Sequence, residues 1–359
     1  MGKPSKRPQR TVGLDLGDRF SHLVVLDEEG EVVEEGRVAT REEALRERFA
    51  GCSPMRIALE TGTHSPWASR VLEECGHEVV VANSRKLRLI YENRNKNDRV
   101  DASYLARLAR LDPRLLSPIQ PRGKTTQKDL ALLRSRDALV SARTQLINHV
   151  RGLVKSIGSR LPACSSRAFP KKVTEKIPES LRPGLVPVLE ELASLNDRIK
   201  GIEKQLEVLC DAIYPQTKLL RQVTGVGPIT SLAFVLTLEA PQRFQKSRTV
   251  GAFLGLVPGR KQSGRSDPQM RITKCGDRDL RRLLVNAAHY ILGPFGPDSD
   301  LRRFGERIAS RGGKNAKKRA LVAVARKLAI LLHHLWRSSE VYEPLYQQTH
   351  ATARRGKVA

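Results

Sequence analysis

The sequence predicts an α/β N-terminal region followed by an all-α remainder. Three observations predict it: short β-branched runs with turn signals up to about residue 82, apolar heptads within residues 126–213, and apolar residues at helical spacing towards the C-terminus. The 359 residues are enough for two or three domains with a sizeable core. We divide them into a basic tail (1–10), an α/β domain (11–115), a helical arm (116–216), a mainly helical C-terminal domain (217–340) and a second tail (341–359).

Residues 11–16 (TVGLDL), 21–27 (SHLVVLD) and 31–38 (EVVEEGRV) are separated by Gly-Asp and Glu-Gly turns, as in a three-stranded antiparallel meander. A helix at 41–50, a strand at 55–60 (MRIALE), a helix at 65–75, a strand at 78–82 and a helix from about 97 to 111 follow. This order, βββ-α-β-α-β-α, resembles the ribonuclease H-like fold, whose first strand is central with the fourth beside it. From 126 to 157, Leu132, Leu139, Leu146, Val150, Leu153 and Ile157 mark one face of a long helix. After the Pro-rich break LRPGLVP, Val188, Leu192, Leu195, Ile199, Ile202, Leu206, Leu209 and Ile213 alternate spacings of four and three, an a/d seam. Two such helices joined by a turn form a coiled-coil hairpin arm, although a buried helix of a globular core fits the same pattern. The last domain opens with LRQVTGVGPITSLAFVLTL and passes through a basic loop at 258–274. It ends in an amphipathic helix near 316–336 carrying Leu321, Val324, Leu328, Leu331 and Leu335. The tail ATARRGKVA reads as disordered.

With 64 Lys and Arg against 38 Asp and Glu, the net charge of +26 points to a polyanionic partner, because each cation on a phosphate releases a condensed counterion. A merely solvated basic surface is the plainer reading. Five scattered cysteines without a C-x-x-C pair support neither a disulfide framework nor a zinc site. No signal-peptide pattern and no apolar run of membrane-spanning length is present, so a soluble intracellular protein with no membrane partner is expected.

Asp15 lies in the first strand (GLDLGD) and Glu60 closes the fourth (ALETG). If those strands are neighbours, period-2 alternation lets both carboxylates meet at one sheet edge. Asp98 and Asp101 share a helix face, so one helix across that sheet gathers four acids. Clustered like charges call for a cation, and oxygen ligands suit Mg²⁺ or Mn²⁺, a pair of which could activate a phosphodiester. Arg94, Lys96 and Arg99 surround the two helical acids as candidate nucleic-acid contacts. Any one acid alone is more simply a turn or cap residue, and Asp98 could cap a helix beginning at Arg99.

The segment 255–284 holds Arg260, Lys261, Arg265, Arg271 and Lys274, followed by Arg278, Arg281 and Arg282, with Ser263-Gly264 in its middle. A serine is a poor nucleophile unless a base, metal or strong field assists it, and a serine in a basic loop is usually only a loop residue. The turn VTGVGPITS, with Gly225 and Gly227, resembles the hairpin of helix-hairpin-helix modules, whose backbone N–H groups face phosphate. His64, His77 and His289 form no legible triad or metal spacing.

Together, GLDLGD, ALETG, NKNDRVDA, the helical arm, VTGVGPITS, LGLVPGRKQSG and RITKCGDRDLRRLLVNAA resemble the insertion-sequence one-ten family of transposases, also described as bridge-RNA-guided recombinases. The resemblance runs from about residue 11 to 337. It implies a RuvC-like four-acid catalytic and metal site at Asp15, Glu60, Asp98 and Asp101, and a nucleophile at Ser263 that forms a phosphoserine link to DNA. It further implies donor and target DNA, a non-coding guide RNA whose base pairing holds the sequence information, and a dimer or tetramer assembled through the arm with a composite active site. A cytoplasmic, nucleoid-associated prokaryotic protein is the matching location. Met270 departs from the Gly often found before RITK, and Ser266 is a fallback nucleophile. Two rivals stand beside this reading: a metal-only structure-specific endonuclease of the Holliday-junction resolvase type, and a non-catalytic architectural nucleic-acid-binding protein.

Overall fold

Alternation of side chains builds the N-terminal sheet from β1 (Thr11–Asp15), β2 (Phe20–Leu26), β3 (Val32–Ala39), β4 (Arg56–Glu60) and β5 (Glu78–Ala82). The computed structural model describes residues 9–87, 97–264, 266–268 and 270–349, and the chain divides into two compact units, Met1–Lys124 and Thr125–Ala359. The expected disordered tail at 351–359 lies outside the described residues. In the first unit the strand order is β3-β2-β1-β4-β5, with β1 antiparallel to β2 and parallel to β4. β1 is therefore central, as the order of elements predicts.

The two faces of this sheet carry different residues. Val12, Leu14, Leu23, Val25, Ile57 and Leu59 pack with Leu45 and Phe49 of α1 (Glu42–Phe49) and Leu72 of α2 (Ser65–Glu74). The intervening positions face α3 (Asp98–Leu111), where Val24 and Leu26 meet Ala102 and Ala106, and Ala58 and Val80 meet Leu105 and Ala109. α3 sits very close to β1: a Cβ on Gly13 would stand 1.9 Å from the Ala102 carbonyl oxygen. Its C-terminal end is clamped by the Arg56 guanidinium, which donates to the Ala109 carbonyl at 3.2 Å and pairs with Glu78 at 3.0 Å. Arg110 adds a hydrogen bond to the Glu28 carbonyl.

The second unit begins with two long helices, α4 (Lys124–Ser156) and, after the short α5 (Phe169–Val173), α6 (Arg182–Val208). They run antiparallel. Arg136 donates to Glu203, Arg143 to Asn196, and Ile147, Val150 and Val154 pack with Leu185, Leu189 and Leu192. Three details of the sequence reading are corrected. LRPGLVP is no break: Pro183 lies in the first turn of α6, where no intrahelical N–H bond is lost, and Pro187 is accommodated inside the helix. The buried face of α4 is rotated by one residue, with Leu133, Ile147 and Val154 inside and Leu153 and Ile157 exposed. Three of the expected positions have an apolar neighbour (Leu132/Leu133, Leu146/Ile147, Leu153/Val154), so periodicity alone did not decide the phase there, while Val150 is buried as expected. In α6 the seam holds from Leu192 to Leu206, but a π-turn at Leu209–Ile213 shifts the register, burying Cys210 and exposing Ile213.

The chain continues through α7 (Gln216–Leu220), α8 (Pro228–Leu238), α9 (Arg248–Phe253), α10 (Arg278–Leu292), α11 (Asp300–Ala309) and α12 (Ala316–Ser338). α8 is buried along all of Thr230–Leu238, so it forms the centre around which α10 and α12 pack. In this core His333 is fully buried, its Nε2–H donating to the Pro241 carbonyl at 2.8 Å and its Nδ1 accepting from the Ser247 hydroxyl at 2.9 Å. Burial lowers its pKa more than the Pro241 bond raises it, and Arg337 and His334 push it further down. Neutral His333 thus contributes stability that is full above the unfolded value of about 6.5 and is lost as pH falls towards the lower folded value. Between pH 7 and 5 the denaturant midpoint of the wild type is expected to fall more steeply than that of His333→Gln; parallel curves would contradict this.

Candidate active site

The parallel pairing of β1 and β4 runs Gly13 against Ala58 and Leu14 against Leu59, so the next residues, Asp15 and Glu60, end neighbouring strands at one edge. Gly13 faces α3, and Asp15, two residues on, projects to that same side; Ala58 and Glu60 repeat the relation on β4. Because the far end of α3 is clamped by Arg56 and Arg110, its N-terminus reaches this edge and carries Asp98 and Asp101 there. Asp101 is buried and Asp98 is exposed. Asn97, not Asp98, caps the helix, its side chain accepting the Val100 N–H at 2.8 Å. His22 was not singled out in the sequence. It pairs with Asp15 across β1 and β2, and its Nε2 lies 3.6 Å from Asp98. Residues 16–21 lie between the two partners, a register longer than the turn 16–19 and therefore not given by counting across it.

A divalent cation fits these residues by donor chemistry and by backbone placement: four hard carboxylates on three adjoining elements at one edge. Among the described residues, however, no three His, Cys, Asp or Glu side chains converge as a metal-holding group. Around the acids, Arg99 pairs with Glu35 at 2.7 Å, while Arg94 and Lys96 lie outside the described residues.

Ser263 lies in the second unit, at the tip of a hairpin. Pro258 bridges Ile272, the Gly259 N–H donates to the Arg271 carbonyl at 2.8 Å, and Ser263 and Ser266 exchange backbone hydrogen bonds of 3.1 and 3.0 Å. Gly264 occupies the turn with φ of +54°, a conformation that strains any residue with a side chain. Ser263 is exposed, as are Arg260, Lys261, Arg271 and Lys274; Arg265 lies outside the described residues. Arg260 pairs with Asp267 at 3.5 Å.

Two of the arginines counted in this segment hold the fold. Arg281 donates to the Leu254 and Cys275 carbonyls at 3.0 and 2.6 Å, tying down the base of the hairpin. Arg282 pairs at 2.8 Å with Asp137, which also receives Arg136, and Arg134 bridges Asp277 and Asp279. Asp277 in turn caps α10, accepting the N–H groups of Asp279 and Leu280 at 3.0 and 2.8 Å. The buried Asp129 and Asp137 of α4 were hidden from the sequence reading because their partners, Tyr214 and Arg282, are remote in the chain. At the Gly-x-Gly turn, Gly225 packs against the Ala287 carbonyl and Tyr290 of α10, while Gly227 is exposed.

A family model described as "Transposase" matches residues 12–158, covering the sheet, the acids and all of α4, and one described as "Transposase IS116/IS110/IS902 family" matches residues 217–300, covering the hairpin. The chain is 29% identical over 355 residues to the transposase for insertion sequence element IS1111A of Coxiella burnetii, covering 94% of this chain and 92% of that one. It is 29% identical over 282 residues to the transposase for insertion sequence element IS1328 of Yersinia enterocolitica (77% and 82%), and 28% identical over 343 residues to a probable family 20 transposase of Pseudomonas aeruginosa (93% and 98%). These matches identify the chain as a transposase. The chain belongs to the IS110 family. Among the described residues no helix is long and apolar enough to cross a membrane.

Proposed function

We propose that the chain cleaves and rejoins DNA strands of an insertion sequence through two centres, a ribonuclease H-like acid site and the Ser263 nucleophile, with a non-coding RNA selecting donor and target. The observation that carries this reading is the register that ends β1 on Asp15 beside Glu60 of β4, under the N-terminus of α3. The strand order supports the ribonuclease H-like assignment of residues 11–115, with 116–216 as the arm and 217–340 as the C-terminal transposase domain. Guide RNA, like nucleoid association, rests on the family resemblance and on the net charge of +26.

Asp15, Glu60, Asp98 and Asp101 would hold Mg²⁺ or Mn²⁺. A cation held there supplies Lewis-acid stabilisation of charge on the phosphate oxygens. Ser263 Oγ gives its proton to solvent and forms a bond to phosphorus; the phosphorus–sugar oxygen bond breaks, and the sugar oxygen leaves as a hydroxyl. Attack by the hydroxyl of the exchanged strand reverses the step and returns the serine. Phosphoester is exchanged for phosphoester, so no external energy source is needed. Arg260, Lys261, Arg271 and Lys274 steady the phosphate charge. Gly227, not the inward-packed Gly225, offers backbone to a phosphate. Protomers assemble through a surface other than the arm seam, because α4, α5 and α6 bury that seam within one chain.

Asp15→Asn is expected to lower metal-dependent cleavage of labelled DNA by about 10²–10³-fold or more while the fold is retained. An architectural protein would bind DNA as before and show no such loss, and an Asp15→Asn variant as active as wild type would overturn the acid site.

A further inference from the structure

A groove of about 1330 Å³ opens in the second unit between the serine hairpin and α9, α11 and α12. Eight Arg or Lys side chains line it, and among the described residues no Asp or Glu does. Five of them, Arg311, Lys318, Arg319, Arg326 and Lys327, come from α12 and the turn before it, outside the basic loop that the sequence reading singled out. Its floor is apolar, built by Leu256, Ile272, Phe304, Ile308, Val322 and Ile330. Lys327 stands 4.4 Å over the Phe304 ring, so one cation of the wall is held by the floor itself.

We propose that this groove holds a single-stranded segment of DNA next to the phosphate that Ser263 attacks. The proposal rests on the nucleophile reading of Ser263 and adds the form in which the DNA is held. Cationic walls without a carboxylate select a polyanion. The volume exceeds the roughly 300–1,000 Å³ of a drug-sized site, so it suits a length of polymer better than a free nucleotide. The apolar floor separates single strand from duplex: a duplex keeps its base faces stacked inside and offers phosphates outside, whereas an unpaired strand has base faces to lay on apolar and aromatic side chains. Pro258, Met270, Arg271, Ile272 and Lys274 belong both to the groove wall and to the hairpin that carries Ser263, so the strand in the groove continues to the serine. Strand exchange needs such an unpaired strand at the point of cleavage.

The test is fluorescence anisotropy of full-length protein with a labelled single-stranded DNA oligonucleotide, the same sequence as RNA, and the DNA duplex. The background is Ser263→Ala, so that no covalent step contributes. Arg248→Ala/Arg311→Ala/Lys318→Ala removes three exposed cations of the wall. It is expected to weaken single-strand binding at least about tenfold and to lower the salt slope by about 2, at roughly 0.7 per phosphate contact on single strands. Duplex affinity should change less than twofold, as should single-strand affinity in the remote control Lys171→Ala/Lys172→Ala. Ile308→Ser should weaken single-strand binding without changing the salt slope, and unchanged melting midpoints keep these variants comparable. Unchanged single-strand affinity in the triple variant overturns the proposal, as does an equal loss for duplex, or tighter binding of RNA with loss of that binding in the variant. A wild type that keeps groove-dependent single-strand binding but forms no covalent adduct would remove the role of Ser263 and leave the groove.

Discussion

Ser263→Ala is expected to yield no denaturation-resistant protein–DNA adduct where wild type, supplied with Mg²⁺, its RNA and labelled DNA, yields one, and to lower strand exchange by at least about 10³-fold. The structure gives this serine a defined setting. Backbone hydrogen bonds to Ser266 in both directions and a left-handed Gly264 fix the hairpin tip, and Arg281 anchors the base from which it projects. The hydroxyl is therefore exposed on an ordered support amid cations, as an attack on a phosphodiester requires. Ser266→Ala should retain the adduct, because its loss removes neither backbone bond. An adduct that survives in Ser263→Ala and disappears in Ser266→Ala would move the nucleophile three residues along the chain. Mg²⁺-dependent cutting by wild type with no adduct would hand the reaction to the metal-only nuclease reading.

Gly13→Val should destabilise the first unit by about 3 kcal/mol or more, beyond the usual range for overpacking, because the obstruction is backbone. The added Cβ would fall 1.9 Å from the Ala102 carbonyl oxygen and 2.6 Å from the Ala106 nitrogen. No rotamer relieves such a clash, so α3 must lift from β1, and its N-terminus must leave the edge where β1 and β4 end. Cleavage should fall together with stability. Gly36→Val, in β3 with nothing within 4 Å of the new Cβ, is the matched control. Equal denaturant midpoints for the two variants would mean that the close approach of α3 is not a constraint.

Much of the N-terminal unit was legible because its cues are local. Strand alternation and turn residues located β1–β5 within about a residue, and the parallel pair placed Asp15 beside Glu60 as the order of elements implied. The phase of α4 was not legible, since two adjacent apolar residues compete at three of the expected positions and the choice belongs to partners such as Leu185 and Leu189. Pro183 and Pro187 misled for a related reason: proline usually breaks a helix interior, yet Pro183 falls in the first turn, with which proline is compatible, and Pro187 is accommodated inside the helix. At the candidate site, residue types carried the acids and the serine. His22 and the ion pairs of Asp137 depend on a register and on contacts between distant segments. The basic segment 255–284 was likewise read together, whereas folding divides it into cations near Ser263 and the structural ties Arg281 and Arg282 of α10.

Asp277 serves two masters. It begins α10 immediately after the serine hairpin closes, and it also receives Arg134 from α4, a helix of 33 residues that extends about 50 Å at about 1.5 Å per residue. Mechanically, α4 is a long lever tied to the joint from which α10 starts, just after the serine hairpin. A pull on its far end is resisted by the Arg134 and Arg282 ties together with the Asp129–Tyr214 hydrogen bond and the packing of Leu130 and Leu133. A load on the arm and the orientation of the serine hairpin are thus coupled through the cap of α10.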